Sequence, residues 1–127
     1  MNVFSHNFIY IDRMSLINLI ENTKVFIISK KRCSNCVLLH ELLRQKQIRY
    51  EHIEIESYMD CFDDNDFVLD NVDELKKKWS ITSYPMFFIN NTYIGDYNKI
   101  HKMNMFNEFN EILIDNGVDF SYCEEVF

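Results

Sequence analysis

A pair of cysteines where a strand should meet a helix constrains this chain more than any other feature. The apolar run Val25-Phe26-Ile27-Ile28 leads into Lys30-Lys31-Arg32-Cys33-Ser34-Asn35-Cys36. The run Val37-Leu38-Leu39-His40-Glu41-Leu42-Leu43 leads out with amphipathic spacing. That pattern predicts a strand, a short turn and a helix, with the first cysteine at the helix N-terminus. Unpaired backbone N–H groups and the helix dipole favour negative charge there, so a thiol in that place ionises more readily. Lys30, Lys31 and Arg32 add positive charge beside it. Such a thiol, with a second cysteine one turn away, can attack a disulfide and then resolve the mixed disulfide from within.

Other readings of the pair compete. Cys-x-x-Cys is also half of a zinc site, and His40 and His52 would complete a Cys2His2 set. No second closely spaced ligand pair accompanies it, which counts against zinc. Two merely buried thiols are the plain alternative, but basic residues on the approach suit a thiolate better than a core thiol. Redox chemistry is the expectation, conditional on a βα context.

Length and charge narrow the partners. A chain of 127 residues is expected to be a single domain, 1–127, and 47% hydrophobic content is ample for a core. The net charge of −7 disfavours nucleic acid and anionic membrane surfaces as partners. Positive charge is bunched at Lys30–Arg32 and Lys76–Lys78, which suits a small anionic ligand. The apolar stretch Phe8-Ile9-Tyr10-Ile11 has no basic start and is cut by Asp12-Arg13, so it does not read as a signal peptide. No run approaches membrane-spanning length. A cytoplasmic, reducing location is expected, where Cys-x-x-Cys pairs are usually catalytic or metal-binding. The chain lacks Ala and is rich in Asn, Ile, Lys, Phe and Tyr, a bias of AT-rich genomes such as those of large DNA viruses. A viral source would place the protein in host cytoplasm or virion.

Hydrophobic periodicity orders the rest. Arg13 to Asn22 predicts a helix capped by Asp12, Lys24 to Ser29 a buried strand, and Ser34 to Gln47 the helix after the cysteines. Ile48 to Glu56 alternates as a strand, parallel to the first through a right-handed βαβ unit. The acidic segment 57–71 predicts a solvated insertion; its carboxylates lack the glycine and distal glutamate of an EF-hand loop. Cys61 within it is read as an ordinary thiol. Val72 to Trp79 predicts a short helix. Met86 to Ile89 and Thr92 to Ile94 predict a hairpin about Asn90-Asn91, two residues that tolerate positive φ. Lys102 to Asp115 predicts a helix stopped by Asn116-Gly117, followed by a tail, 118–127, that contains Cys123. The sum is an α/β chain with a four-stranded mixed sheet and helices on both faces.

The single proline, in Ser83-Tyr84-Pro85, stands at the start of the third strand, a position proline tolerates for reasons unconnected with catalysis. Together with the cysteine pair it carries a family resemblance. The chain from about Lys24 to Asn116 resembles a glutaredoxin, a member of the thioredoxin-fold superfamily. Ile28 to Cys36 is similar to that family's approach strand and active site. Ser83-Tyr84-Pro85-Met86-Phe87-Phe88-Ile89 is similar to its cis-proline segment, and Tyr93-Ile94-Gly95 to the start of its Gly-Gly turn.

The resemblance implies a thioredoxin-like fold and a glutathione-dependent thiol–disulfide oxidoreductase. Cys33 would be the nucleophile and Cys36 the resolving thiol. Lys30 would meet the glycyl carboxylate of glutathione, and the backbone of Tyr84, before a cis Pro85, would pair with the tripeptide as an added strand. The turn after Gly95 would hold the γ-glutamyl end. The chain departs from the family at several points: Asp96 replaces the second turn glycine, Lys99 stands where an acidic residue usually meets the glutathione amino group, and Ser34-Asn35 replaces Pro-Tyr. Asp96 is the candidate to take over the amino-group contact. Implied partners are glutathione and disulfide-containing or glutathionylated proteins, and a monomer is expected. A thioredoxin-like reductase not using glutathione, an iron–sulfur cluster carrier and a non-catalytic interaction module remain the alternatives.

Overall fold

The computed structural model describes residues 15–61 and 65–121. Its elements are α1 (Leu16–Glu21), β1 (Val25–Ser29), α2 (Ser34–Gln45), β2 (Glu51–Glu54), α3 (Ile55–Met59), α4 (Asn65–Trp79), β3 (Met86–Ile89), β4 (Thr92–Gly95), α5 (Tyr97–Met105) and α6 (Glu108–Asp115). The four strands form one sheet in the order β2-β1-β3-β4. β1 runs parallel to β2, with Ile28 beside Ile53, and antiparallel to β3, with Phe26 beside Phe88. β3 and β4 close an antiparallel hairpin. The mixed sheet is the one expected.

The central strands explain their own composition. Every residue of β1 and β3 is buried, because helices cover both faces of the sheet. Side chains alternate across a strand. Phe26, Ile28, Met86 and Phe88 therefore enter one core with α1, α3 and α4, through residues such as Leu16, Tyr58, Val68, Val72 and Leu75. Val25, Ile27, Phe87 and Ile89 enter the other with α2, α5 and α6, through Leu39, Leu43, Ile100, Phe109 and Leu113. A fully apolar strand is what two cores require. Removing one such ring, as in Phe88→Ala, would cost about 3–5 kcal/mol.

Chain reversals are made by residues in the left-handed region. Asn90 and Asn91 have φ of 49° and 63° and turn the hairpin as expected. Gln47 has φ 57° and ends α2: its N–H donates to the Arg44 carbonyl, and that of Ile48 to Leu43. This pairing closes the helix two residues earlier than expected, and buries Ile48 against Leu43. Gly117, φ 67°, closes α6 in the same way, with Val118 N–H on the Leu113 carbonyl.

Four expectations are corrected. The expected cap Asp12 lies outside the described residues, and α1 is capped by Ser15, whose Oγ accepts the Asn18 N–H at 3.2 Å. The second strand is only Glu51–Glu54, because Ile55 already begins α3. The segment 57–71 is no solvated loop: it is helical at both ends and puts Tyr58 and Val68 in the core, and α4 runs for 15 residues rather than eight. The helix expected over 102–115 is two, α5 starting at Tyr97 and α6 at Glu108. The break falls at Asn107 with φ 63°. Cys123 and the rest of 122–127 lie outside the described residues. No helix among the described residues is long and apolar enough to cross a membrane.

Candidate active site

β1 ends at Ser29, and Lys30 to Arg32 turn the chain into α2. Arg32 takes a φ of 54°, unusual for a residue with a side chain, and so aims the following cysteine across the helix start. The loop is pinned from the side by Glu56, whose Oε1 accepts the Lys31 N–H at 3.0 Å. Nothing in the sequence periodicity marked Glu56 for that role.

Cys33 is the N-cap of α2. Its Sγ accepts the backbone N–H of Cys36 at 3.2 Å, the place a serine or aspartate oxygen takes at an ordinary helix start. The two cysteines are joined as a disulfide, with Cα atoms 5.2 Å apart. Cys33 is half-buried, whereas Cys36 is 2% exposed. On reduction, the Cys33 sulfur stays at the positive end of the helix dipole with a backbone donor in place, which stabilises a thiolate. The Cys36 sulfur is shielded from water, which disfavours its charged form.

An open cleft runs past the pair. Lys30, Arg32, Cys33, Cys36, His40 and Glu54 line it. At its side, the Tyr84 ring has Lys30 Nζ at 5.5 Å and Lys76 Nζ at 5.6 Å from its centre. Burial, and then the carboxylates of Glu56 and Asp73, raise the pKa of the Tyr84 phenol, so this ring remains neutral between two cations. The peptide bond from Tyr84 to Pro85 is cis, as expected, and opens β3.

Gly95 and Asp96 leave the hairpin at the same end at which Pro85 enters it. Gly95 has φ 154°, a backbone conformation that side-chain-bearing residues rarely adopt, and a Cβ there would also stand 2.7 Å from Lys99 Cδ. Asp96 caps α5: Oδ1 accepts the Lys99 N–H at 3.1 Å, and Oδ2 accepts the Ser83 hydroxyl at 2.9 Å. Of the residues singled out in the sequence, Lys30, Cys33 and Cys36 share one cleft, Tyr84 contacts Lys30, and Asp96 is tied to the neighbour of Tyr84.

His40 was weighed in the sequence only as a zinc ligand. It packs edge-on against His52, with ring centres 4.9 Å apart, and no group of three or more metal-binding side chains is found among the described residues. Its Nε2 is 3.1 Å from Ser29 Oγ and its Nδ1 2.9 Å from the Tyr50 hydroxyl. Burial first, then the neighbouring His52 and Arg44, lower its pKa to about 4. Burial lowers that of His52 too, against the pull of Glu54. Cys61, outside this site, directs its thiol to the Ser57 carbonyl at 3.5 Å.

Known proteins share this fold. The crystal structure of a buckwheat glutaredoxin–glutathione complex superposes with a TM-score of 0.65 at 21% identity, covering 80% of this chain and 86% of that one. Oxidized glutaredoxin 2 from Chlamydomonas reinhardtii gives 0.64 at 24%, covering 84% and 92%. The holo form of glutaredoxin C1 from Populus tremula x tremuloides gives 0.65 at 22%, covering 80% and 85%. At such identities the likeness establishes the thioredoxin-like fold. No curated protein matches the chain. The family model described as Glutaredoxin matches residues 25–94. That span runs from β1 through the Cys33–Cys36 turn and the cis proline to the hairpin, more than half of the chain. A dithiol at a helix start, on this fold and within this match, places the chain in the glutaredoxin family as a thiol–disulfide oxidoreductase.

Proposed function

We propose that the protein is a glutathione-dependent reductase of protein disulfides and of glutathione mixed disulfides. The observation that carries this is Cys33 capping α2, with its sulfur on the Cys36 N–H, inside a cleft bordered by Lys30 and Arg32. The Cys33 thiolate attacks one sulfur of the substrate disulfide. A bond forms to Cys33, the substrate S–S bond breaks, and the other sulfur leaves as a thiolate. Cys36 or a second glutathione then displaces the sulfur bound to Cys33. Glutathione regenerates the dithiol and supplies the electrons.

The tripeptide carries carboxylates at both ends and an amino group at one. Lys30 offers a cation to the glycyl carboxylate. The backbone at Tyr84, ahead of the cis Pro85, would offer main-chain groups for strand-like pairing. The γ-glutamyl end would meet Gly95 and Asp96, with the Asp96 carboxylate as partner for the amino group. The buckwheat glutaredoxin, which is described in complex with glutathione, supports this reading by fold alone. A reducing compartment such as the cytoplasm would keep the pair in use.

The test is turnover of a glutathionylated peptide with glutathione, glutathione reductase and NADPH. Steady NADPH consumption that saturates with glutathione is the expected result. No turnover with glutathione, but reduction of insulin disulfides when thioredoxin reductase supplies electrons, would replace this reading with a thioredoxin-like one.

A further inference from the structure

Behind the cysteine pair lies a hydrogen-bonded chain that the thiol exchange described above does not use. His40 is one helical turn beyond Cys36, so the two are neighbours on one face of α2. Both line the cleft, as does Ser29. Ser29 is 6% exposed and holds His40 Nε2, while the Tyr50 hydroxyl holds Nδ1. A leucine would fill an inward-facing helix position without needing two hydroxyl partners, as Leu39 and Leu43 do on this helix. With its pKa lowered to about 4, the ring is neutral near pH 7, and one of its nitrogens carries no proton.

We propose that His40 is a positioning residue for Cys36, taking up through Ser29 the proton that Cys36 loses when it resolves the mixed disulfide. This rests on Cys36 being the resolving thiol. In that step the Cys36 sulfur attacks the Cys33 sulfur. The Cys36–Cys33 bond forms, the bond from Cys33 to the substrate sulfur breaks, and the substrate departs as a thiolate with the electron pair. The Cys36 proton passes to the Ser29 hydroxyl as that hydroxyl's own proton passes to His40 Nε2. The relay uses the tautomer with its proton on Nδ1, 2.9 Å from the Tyr50 hydroxyl. The imidazolium then returns its proton to the departing thiolate or to water, so nothing is consumed.

The surroundings keep His40 unprotonated, and so free to accept a proton, until a charge develops on Cys36. Facing His40 are Arg44 on its own helix, His52 and Glu54 on β2, Tyr50 ahead of β2, and Lys30 and Arg32 on the approach loop. The cations and His52 hold the ring neutral at rest. A thiolate developing on Cys36 would draw a proton to it, since an anion a few ångströms away raises the pKa of a neighbouring base. The burial of Cys36 makes a proton acceptor the more necessary.

The experiment mixes reduced protein carrying Cys61→Ser and Cys123→Ser, so that only the active-site pair reacts, with one equivalent of dithiobisnitrobenzoate and follows thionitrobenzoate release by stopped flow from pH 5 to 9. The first anion reports attack by Cys33, the second reports attack by Cys36. In His40→Gln the second release is expected to slow by roughly tenfold or more, as for loss of a proton acceptor. Its pH midpoint should move upward, while the first release keeps its rate. Ser29→Ala, which leaves the ring in place, should slow the second release likewise, and serves if the glutamine variant does not fold. A second release with wild-type rate and midpoint in either folded variant would overturn the proposal. Cys36→Ser separates the two claims: it should release only the first anion. A second release there would remove the resolving role from Cys36 itself.

Discussion

Ser83 donates a hydrogen bond to Asp96 Oδ2 at 2.9 Å, tying the loop before the cis proline to the first turn of α5. The same carboxylate accepts the Lys99 N–H through Oδ1. Each carboxylate oxygen has a second lone pair, so capping does not prevent Asp96 from meeting an ammonium group. Two substitutions separate these roles. Asp96→Ala should lose about 1 kcal/mol of stability, the ordinary value of an N-cap. Asp96→Asn keeps a good cap and should unfold near the wild-type urea midpoint. Both should raise KM for glutathione several-fold, measured in the coupled reductase assay. An unchanged KM in both would remove Asp96 from the glutathione site.

Lys46 makes a second long-range tie. It is 2% exposed at the C-terminal end of α2, and its Nζ donates to Asn110 Oδ1 at 2.8 Å. The same ammonium lies 5.9 Å and 5.7 Å from the rings of Phe109 and Phe120. The carbonyl of Lys46 accepts the Ser121 N–H at 2.7 Å, so one residue gathers α2, α6 and the segment after it. Lys46→Met would keep much of the packing and leave the buried Asn110 oxygen without this donor. The expected cost is about 1–3 kcal/mol by urea unfolding. Turnover should stay within about twofold, because Lys46 is at the opposite end of α2 from Cys33. Loss of activity in a stably folded variant would contradict this.

Much of the site was legible because its chemistry and its secondary structure use the same residues. The apolar run, the basic turn and the cysteine pair can only be read as strand, turn and helix start. Asn90-Asn91 and Pro85 each have few local conformations to choose from. In the acidic segment, tertiary burial overrode local polarity. Asp60, Asp63, Asp64, Asp66 and Asp70 made 57–71 read as a solvated insertion. Val68, Val72, Leu75 and Trp79, at helical spacing, were the competing signal, and Val68, Val72 and Leu75 are buried. The break at Asn107 was hidden because apolar residues continue on either side. Only the structure separates exposed Phe106 from buried Phe109. His40 was visible as a histidine one turn beyond Cys36, but its partners Ser29 and Tyr50 come from β1 and from the approach to β2, which spacing cannot bring together.

The two lowered histidines predict how stability depends on pH. His40 has a folded pKa of about 4 against an ordinary 6.5, and that of His52 is lowered in the same direction. The folded state therefore binds fewer protons than the unfolded chain below pH 6.5, and stability falls as pH drops from 6.5 towards 4. Above pH 6.5 this contribution is fully present. His40→Gln should flatten that acid limb, seen as a smaller fall of the urea midpoint between pH 7 and pH 4.5. An acid limb as steep as in the wild type would show that other groups cause it.

The two cysteines should separate by substitution. Cys33→Ser should abolish turnover on every disulfide. Cys36→Ser should retain part of the turnover on glutathionylated peptide, because a second glutathione can release the first from Cys33. Equal loss in both variants, read from NADPH consumption, would mean that only the dithiol route operates.

The account rests most directly on Cys33 being a thiolate at the start of α2. Reduced protein is treated with iodoacetamide from pH 4 to 10, and labelling of the Cys33 peptide is followed by mass spectrometry. The predicted result is a rate midpoint well below the ordinary cysteine value of about 8.5, with Cys36 labelled slowly throughout. A Cys33 midpoint at or above about 8.5 would contradict it, since neither the helix terminus nor Lys30 and Arg32 would then be activating the sulfur.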